Sequence, residues 1–284
     1  GWSDFFATQT LEAFEGMETV VARVARDDGE LYEVLDQRGE TGRARLGGGL
    51  RYRAAGRIDL PAVGDWVLMR DEEAGELSTI VGVYDRRTRF VRQSAGRSSD
   101  AQVIAANVDT VFIVTSMNEE FEPRRLERYL LASRETGAEP VIVLNKADIA
   151  VDVDGFVEDA EAVAGGAPVV SLSALKGPID ALDPWLRRGQ TAVVVGSSGV
   201  GKSTLINRLM DEDLQETRSI RHDDDRGRHT TTSRQMFVLP EGRGILIDTP
   251  GMREFGLWAG EAAADAVFED VARLARECRF SDCE

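Results

Sequence analysis

The pattern of apolar and polar positions divides the chain into a β-rich N-terminal part and a longer part in which strands and helices alternate. Between residues 17 and 90, short apolar and β-branched runs are separated by Gly, Pro and Asp turn signals. The clearest runs are residues 19–24, 31–35, 66–69 and 80–84. About five such strands predict a small barrel, for which we favour the oligonucleotide-binding (OB) fold, although the same periodicity fits an SH3-like barrel.

From residue 107 onward, apolar strands alternate with amphipathic helices. The predicted strands are 108–115, 140–144, 168–172, 191–195 and 244–247, and the predicted helices are 124–136, 156–164 and 260–278. Apolar strands linked by crossover helices predict a mostly parallel sheet that is covered on both faces. Residues 1–16 are predicted to be either a short acidic helix or a disordered arm. Their apolar residues have helical spacing, and we expect this arm to dock on its own protein.

Composition and charge exclude several classes of protein. The chain has 284 residues, of which 42% are hydrophobic, and this is enough for two cores. The 34 Lys and Arg residues against 50 Asp and Glu residues give a net charge of -16, which argues against coating nucleic acid or membrane by bulk charge. The apolar runs are far shorter than the roughly 20 residues of a membrane span, and the acidic start does not resemble a signal peptide. We therefore expect a cytoplasmic protein without membrane association. We also expect it to be a monomer.

The segment GSSGVGKS has the pattern of a phosphate-binding loop, placed between the predicted strand 191–195 and a further helix that we predict to begin near Lys202. Its backbone N–H groups would face the phosphates, Lys202 would reach the β and γ oxygens, and the hydroxyl of Ser203 would bind Mg²⁺. We predict that Lys202 serves catalysis as well as binding. The predicted phosphate-side residues are Gly196, Ser197, Ser198, Gly199, Val200, Gly201, Lys202, Ser203 and Thr204.

The motif NKAD, which begins at Asn145, predicts that the base is guanine. A carboxylate only accepts hydrogen bonds, so Asp148 can pair with the N1–H and exocyclic amine of guanine, whereas adenine has the opposite polarity. This argues against a P-loop kinase or ATPase. Asn145 would tie the loop to the phosphate loop, and the stem of Lys146 would lie over the base. Ser173 and Ala174, after the next strand, resemble the loop whose backbone N–H contacts guanine O6.

The motif DTPG follows the last predicted strand and has the DxxG form. Asp248 would hold Mg²⁺, and Gly251 would donate its N–H group to the γ-phosphate and move when that group leaves. The polar segment RGRHTTT, further upstream, suits a switch loop. One of its threonines should complete the Mg²⁺ shell, and we favour Thr231 over Thr230.

The residues available for hydrolysis differ from those of Ras-like enzymes. Met252 follows the DxxG glycine, where Ras-like enzymes have a glutamine that orients the attacking water. Unaided hydrolysis should therefore be slow. His229, in the switch segment, is the candidate to orient water once a partner orders the loop, with packing or an RNA contact as the alternative.

The order of the motifs is permuted relative to that of an ordinary GTPase. In this sequence NKAD and SAL come before GSSGVGKS, TTT and DTPG, whereas in an ordinary GTPase they come after them. The permuted order, together with RGRHTTT, DTPGMRE, the preceding barrel and the terminal CRFSDC, resembles the RsgA or YjeQ family of small-ribosomal-subunit-dependent GTPases. The resemblance covers residues 17–284. It implies an α/β P-loop GTPase with a circularly permuted, mostly parallel sheet at 93–258. It also implies an OB-fold-like all-β barrel at 17–92 after the arm at 1–16, and an incomplete helical zinc-binding segment at 259–284.

The resemblance further implies that the protein binds GTP and GDP with Mg²⁺ and acts in late maturation of the small ribosomal subunit. Hydrolysis would be stimulated by that subunit, and the subunit and its rRNA would be the partners. The alternative is a GTP-gated regulatory module that does not act on the ribosome.

The zinc site of the family is only partly represented. The family motif continues after its second cysteine with a histidine and a third cysteine, whereas this sequence ends at Glu284. Cys278 and Cys283 supply two of the four ligands that tetrahedral Zn²⁺ needs. We therefore expect free thiols in this chain and bound Zn²⁺ in the intact protein.

Two arginine-rich segments of the barrel and its exit are candidates for contact with RNA. Residues 41–58 and 86–97 contain five arginines each and no acidic residue. The guanidinium group suits phosphate and stacks on bases, and Tyr52 offers an aromatic surface. We assign RNA binding to Arg43, Arg45, Arg51 and Arg53, with a solvated surface as the alternative.

Overall fold

The computed structural model describes residues 1–9, 18–36, 38–70, 77–92, 101–210 and 234–248. The N-terminal part contains α1 (Asp4–Ala7), β1 (Val20–Asp27), β2 (Leu31–Leu35), β3 (Thr41–Leu46), α2 (Gly48–Arg53), a 3-10 turn (Arg57–Asp59), β4 (Trp66–Arg70) and β5 (Ser78–Val83). Strand β1 pairs with both β2 and β4, and the order β1-β2-β3-β5-β4 therefore closes into a barrel. This order, with α2 between β3 and β4, is that of the OB fold rather than the SH3-like alternative.

Alternating side chains of the five strands fill the barrel. In β1, for example, Ala22 and Val24 point inward and are fully buried. Strand β3 was not among the predicted runs, since its sequence TGRARL buries only Ala44. Its backbone pairs with β2 on one side and β5 on the other, and this pairing rather than hydrophobicity makes it a strand.

The described part of the N-terminal arm packs against the outside of the barrel. Phe6 is 1% exposed and lies in a cluster with Leu68 and Tyr84. The ring centroids of Trp2 and Trp66 are 5.1 Å apart in an edge-to-face arrangement. The prediction that the arm docks on its own protein is confirmed for these residues.

The second part of the chain forms the expected α/β sheet. Its elements are β6 (Arg89–Arg92), β7 (Gln102–Ala106), β8 (Thr110–Ser116), α3 (Pro123–Thr136), β9 (Glu139–Asn145), α4 (Val153–Ala164), β10 (Val169–Ser171), a 3-10 helix (Asp180–Trp185), β11 (Thr191–Val195), α5 (Lys202–Leu209), β12 (Gln235–Val238), a 3-10 turn (Pro240–Gly242) and β13 (Ile245–Asp248). Strands β10-β9-β8-β11-β13 are parallel in this order, and β12 is antiparallel to β13. The β6–β7 ribbon and β12 were not predicted.

Helices cover both faces of the parallel sheet, as predicted. On one face, Leu126 of α3 and Ala160 of α4 pack on the sheet. On the other face, Leu205 and Leu209 of α5 pack against Phe112 of β8. Within the described ranges, no helix has the length and apolar composition needed to cross a bilayer.

The barrel and the parallel sheet are continuous through one pair of strands. Strand β1 of the barrel pairs antiparallel with β12, with Arg26 opposite Gln235. Ala25 of β1 also lies in the same buried cluster as Met236 of β12. The two parts of the protein therefore share backbone hydrogen bonding and core packing.

Candidate nucleotide-binding site

Four of the predicted binding segments meet at one edge of the parallel sheet. Asn145 ends β9, Ser173 lies two residues beyond β10, Gly196 follows β11, and Asp248 ends β13. The strands are parallel, so their carboxyl ends lie at the same edge, where α/β proteins bind ligands. The permuted order of the motifs in the sequence therefore does not prevent their assembly into one site.

The phosphate loop connects the buried strand β11 to α5. Its backbone turns through positive φ angles at Gly196, Gly199 and Gly201, and α5 begins at Lys202. The Nζ atom of Lys202 lies 2.7 Å from the carbonyl oxygen of Gly196, and it also donates to the carbonyl of Ser197. This places an ammonium group and the N-terminus of a helix at the loop, an arrangement suited to phosphate.

Asn145 connects three loops at this edge. Its Nδ2 atom donates to the carbonyl oxygen of Val200 at 2.8 Å, and its Oδ1 atom accepts from the backbone N–H of Ala174 at 2.8 Å. A Cβ atom at Gly201 would overlap the amide nitrogen of Asn145, so this position requires glycine. The predicted tie between the NKAD loop and the phosphate loop is confirmed.

Asp148 is held between the NKAD loop and the loop after β10. The hydroxyl of Ser173 donates to Oδ1 of Asp148 at 2.7 Å, and Nζ of Lys176 lies 3.7 Å from Oδ2. The Ser173 hydrogen bond, helped by the charge of Lys176, holds the pKa of Asp148 below its usual value. Lys146, which precedes this carboxylate by two residues, has a positive φ of 68°. The carboxylate therefore stays ionised and acts only as an acceptor.

Two residues of α3 contact the phosphate loop and were missed by the sequence analysis. Nη1 of Arg125 donates to Oγ of Ser197 at 2.8 Å. The side chain of Tyr129 also hydrogen-bonds to Ser197, and burial raises the pKa of this tyrosine. The two residues are about one helical turn apart in the first half of α3, a helix that follows the parallel strand β8. That spacing is the signal that could have identified them.

Several predicted residues lie outside the described residues, namely Thr231, His229, Gly251, Cys278 and Cys283. Ser203 and Thr204 lie in the first turn of α5. In the described ranges, no group of three or more His, Cys, Asp or Glu side chains is arranged to hold a metal ion.

The four arginines assigned to RNA lie on the barrel and are exposed: Arg43, Arg45, Arg51 and Arg53. Nε of Arg45 is 3.4 Å from Oγ1 of Thr79, and Nη2 of Arg53 is 3.3 Å from the carbonyl oxygen of Val81. Thr79 and Val81 both belong to β5, so these two arginines lie beside the same strand. Tyr52, between the last two, is 92% exposed. We call Arg43, Arg45, Arg51, Tyr52 and Arg53 the arginine face.

The second arginine-rich segment, by contrast, is not a uniform basic surface. The guanidinium of Arg86 binds both carboxylate oxygens of Asp65, at 2.8 and 2.7 Å, and the Asp65 side chain is fully buried. Arg87 is paired with Asp109. Arg86 of the candidate segment 86–97 is therefore committed to Asp65, because a buried carboxylate needs this cation to offset its desolvation.

Comparison with known proteins identifies the family. A sequence model described as RsgA GTPase matches residues 83–258. The "Small ribosomal subunit biogenesis GTPase RsgA" of Opitutus terrae is 45% identical over 293 aligned residues, which cover 100% of this chain and 79% of the relative. The chain belongs to the RsgA GTPase family. The protein of the same name from Methanosarcina acetivorans is 49% identical over 78% of this RsgA-family chain and 60% of its own length.

Solved structures agree with this membership. YjeQ from Thermotoga maritima superposes with a TM-score of 0.66 at 26% identity, covering 93% of this RsgA-family chain and 86% of YjeQ. YloQ, whose structure is described as that of a circularly permuted GTPase, gives a TM-score of 0.62 at 21% identity, covering 93% and 83%. The second similarity supports the permuted fold alone.

Proposed function

We propose that this chain binds and hydrolyses GTP as a biogenesis factor of the small ribosomal subunit. The observation that carries the proposal is the double contact of Asn145 with Val200 of the phosphate loop and with Ala174. This contact brings the predicted guanine-binding and phosphate-binding loops into one site. The relatives named small ribosomal subunit biogenesis GTPases support the choice of partner.

We assign the chemistry of the site as follows. Asp148 accepts hydrogen bonds from the N–H groups of the base, and Ser173 and Ala174 complete the base pocket. The phosphate loop and Lys202 bind the phosphates, where their fixed positive potential stabilises charge in the transition state. Hydroxyl and carboxylate oxygens are the ligands Mg²⁺ prefers, and Ser203, Asp248 and Thr231 would hold it. Bound Mg²⁺ neutralises phosphate charge.

The remaining assignments extend beyond the nucleotide site. We assign residues 17–92 to the barrel, 93–258 to the permuted GTPase and 259–284 to a zinc-binding segment in which Cys278 and Cys283 are ligands. Sulfur is a preferred zinc ligand. His229 would orient water, and Gly251 would bind the γ-phosphate. The protein would act in the cytoplasm as a monomer.

Stimulation by the ribosomal subunit tests the proposed function. We expect the isolated protein to hydrolyse GTP on the order of 10⁻⁴ per second, and purified small subunits to raise this at least about tenfold. The rate of phosphate release should be measured with small subunits, with large subunits and with free RNA. Equal rates in all three mixtures would favour the regulatory module that does not act on the ribosome.

The arginine face gives a second prediction. The double variant Arg43→Glu/Arg51→Glu should weaken small-subunit binding at least about tenfold and reduce the slope of log affinity against log salt by roughly 2, because fewer counterions are released. The matched control is Arg187→Glu/Arg188→Glu, which makes the same charge change on exposed residues just before β11. Similar weakening in both variants would assign the effect to net charge rather than to the arginine face.

A further inference from the structure

A buried arginine joins the barrel to the sheet that carries the nucleotide site. Arg23 of β1 is 2% exposed. Its Nε donates to the carbonyl oxygen of Gly64 at 3.1 Å, its Nη1 to Oγ1 of Thr191 at 2.9 Å, and its Nη2 to the carbonyl oxygen of Asn107 at 3.1 Å. All three acceptors are neutral oxygen atoms. The guanidinium also lies 5.4 Å from the ring centroid of Trp66.

These acceptors belong to three segments that are distant in sequence. Gly64 lies in the barrel just before β4, Asn107 lies between β7 and β8, and Thr191 is the first residue of β11. Strand β11 is buried along its whole length and ends at the phosphate loop. A displacement of Arg23 is therefore transmitted to a stiff strand whose other end carries Gly196 and the loop beyond it.

The hydrogen bonds of Arg23 leave it little freedom. Burial lowers the pKa of Arg23 to about 10, so the group remains a cation at neutral pH. A buried cation with neutral acceptors is stable only when its donors are satisfied, and loss of one acceptor is costly. Asp109 strengthens the same junction, because its carboxylate accepts from the backbone N–H of Thr191 at 2.7 Å.

The barrel also touches strands β12 and β13. A Cβ atom at Gly64 would overlap the carbonyl oxygen of Ala106 and lie 3.1 Å from Cδ1 of Ile247, the residue before Asp248. Strand β1 pairs with β12 at Gln235, three residues after the predicted switch segment ends. The barrel thus contacts β11, which precedes the phosphate loop, β13, which ends at the first residue of DxxG, and β12, which follows the predicted switch segment.

We propose that Arg23 is a positioning residue that couples the barrel to the phosphate loop through the hydroxyl of Thr191. Engagement of the barrel by a ribosomal partner changes the position of Arg23, and Thr191 carries the change along β11. The part of this inference that concerns stimulated hydrolysis rests on the proposed function. The coupling itself is a property of the chain and is reciprocal in binding free energy, so a nucleotide at the phosphate loop must change the affinity of the barrel for its partner by the same factor.

The first test removes only the hydroxyl group. Thr191→Val keeps the shape of the side chain and leaves both backbone contacts with Asp109 in place. We expect the ratio of stimulated to unstimulated GTP hydrolysis to fall at least about fivefold. Thr191→Ser, which retains the hydroxyl, should restore the ratio. A purely structural defect would lower both rates together and leave the ratio unchanged.

The control is Thr110→Val. Thr110 is the first residue of the neighbouring strand β8, is 1% exposed and is not one of the three acceptors of Arg23. It therefore reproduces the loss of a buried threonine hydroxyl at the same end of the sheet. Circular dichroism of both variants verifies folding. Equal stimulation ratios in Thr191→Val and Thr110→Val would overturn the proposal.

The second test needs no ribosomal subunit. Trp66 lies under the Arg23 guanidinium, and phenylalanine at Trp2, Trp185 and Trp258 leaves Trp66 as the only tryptophan. A non-hydrolysable GTP analogue should change the Trp66 emission, and Thr191→Val should remove most of this change. If small subunits fail to stimulate the parent protein but this response is present and depends on Thr191, the proposed function fails and the coupling stands. Absence of the response in the parent overturns the coupling.

Discussion

Replacement of Lys202 by alanine should lower GTP hydrolysis, measured with small subunits present, by roughly 100- to 1000-fold. The ammonium group lies at the phosphate loop, 2.7 Å from the carbonyl oxygen of Gly196. A fixed cation in that position costs no reorganisation when charge develops on the transferred phosphoryl group, and an alanine methyl leaves that charge uncompensated.

Asn207→Ala is the control for this prediction, because Asn207 lies on the same helix α5 and is only partly buried. We expect its hydrolysis rate to stay within about twofold of the parent, as is usual for substitutions away from a site. Rates within tenfold of the parent in Lys202→Ala would mean that this loop does not bind the reacting phosphate. Titration with a fluorescent GTP analogue separates lost affinity from slower hydrolysis.

Replacement of Asp148 by asparagine should lower GTP affinity on the order of 100-fold and raise the affinity for xanthosine triphosphate. In the proposed site the carboxylate would accept hydrogen bonds from two guanine N–H groups, whereas an amide offers one acceptor and one donor. The donor would face the exocyclic amine of guanine. Xanthine has a carbonyl oxygen at that position, so the amide N–H of the asparagine can donate a hydrogen bond to it.

The matched control is Asp154→Asn, which makes the same chemical change at an exposed position in the first turn of α4. Binding of both nucleotides should be measured by calorimetry for the two variants and the parent. Loss of GTP binding without any gain for xanthosine triphosphate would argue against a direct contact of Asp148 with the base.

Because the Ser173 hydroxyl lowers the pKa of Asp148, its carboxylate stays ionised through neutral and mildly acidic pH. Guanine affinity should therefore not fall in this pH range through protonation of Asp148.

The strands that the sequence predicted are those in which hydrophobicity and secondary structure coincide. Strands β8, β9 and β11 are buried at nearly every position, and they read as continuous apolar runs. Strand β3 does not read as an apolar run, because five of its six residues are at least partly exposed. Its place depends on hydrogen bonds with β2 and β5, partners that are not local in the sequence.

The two arginine-rich segments illustrate the same limit. Residues 41–58 and 86–97 are both rich in arginine and contain no acidic residue, so the sequence predicted an exposed basic surface for each segment. The arginine face is exposed, whereas Arg86 is bound to Asp65, which is 21 residues away. The sign of a charge is local information, but its compensation by a distant buried group depends on the fold.

The sequence by itself determined the chemistry of this protein: a phosphate loop, a guanine motif, their permuted order and the resemblance to the RsgA family all follow from residue types at short spacing. These features are local because a loop that binds phosphate or base needs particular side chains and glycines at adjacent positions. The tertiary structure decided how the parts are joined. Several contacts join segments that are far apart in the chain. They are the hydrogen bonds of Arg125 and Tyr129 to Ser197, the hydrogen bond of Arg23 to Thr191, and the pairing of β1 with β12. They depend on strand order and packing, which short-range patterns do not encode.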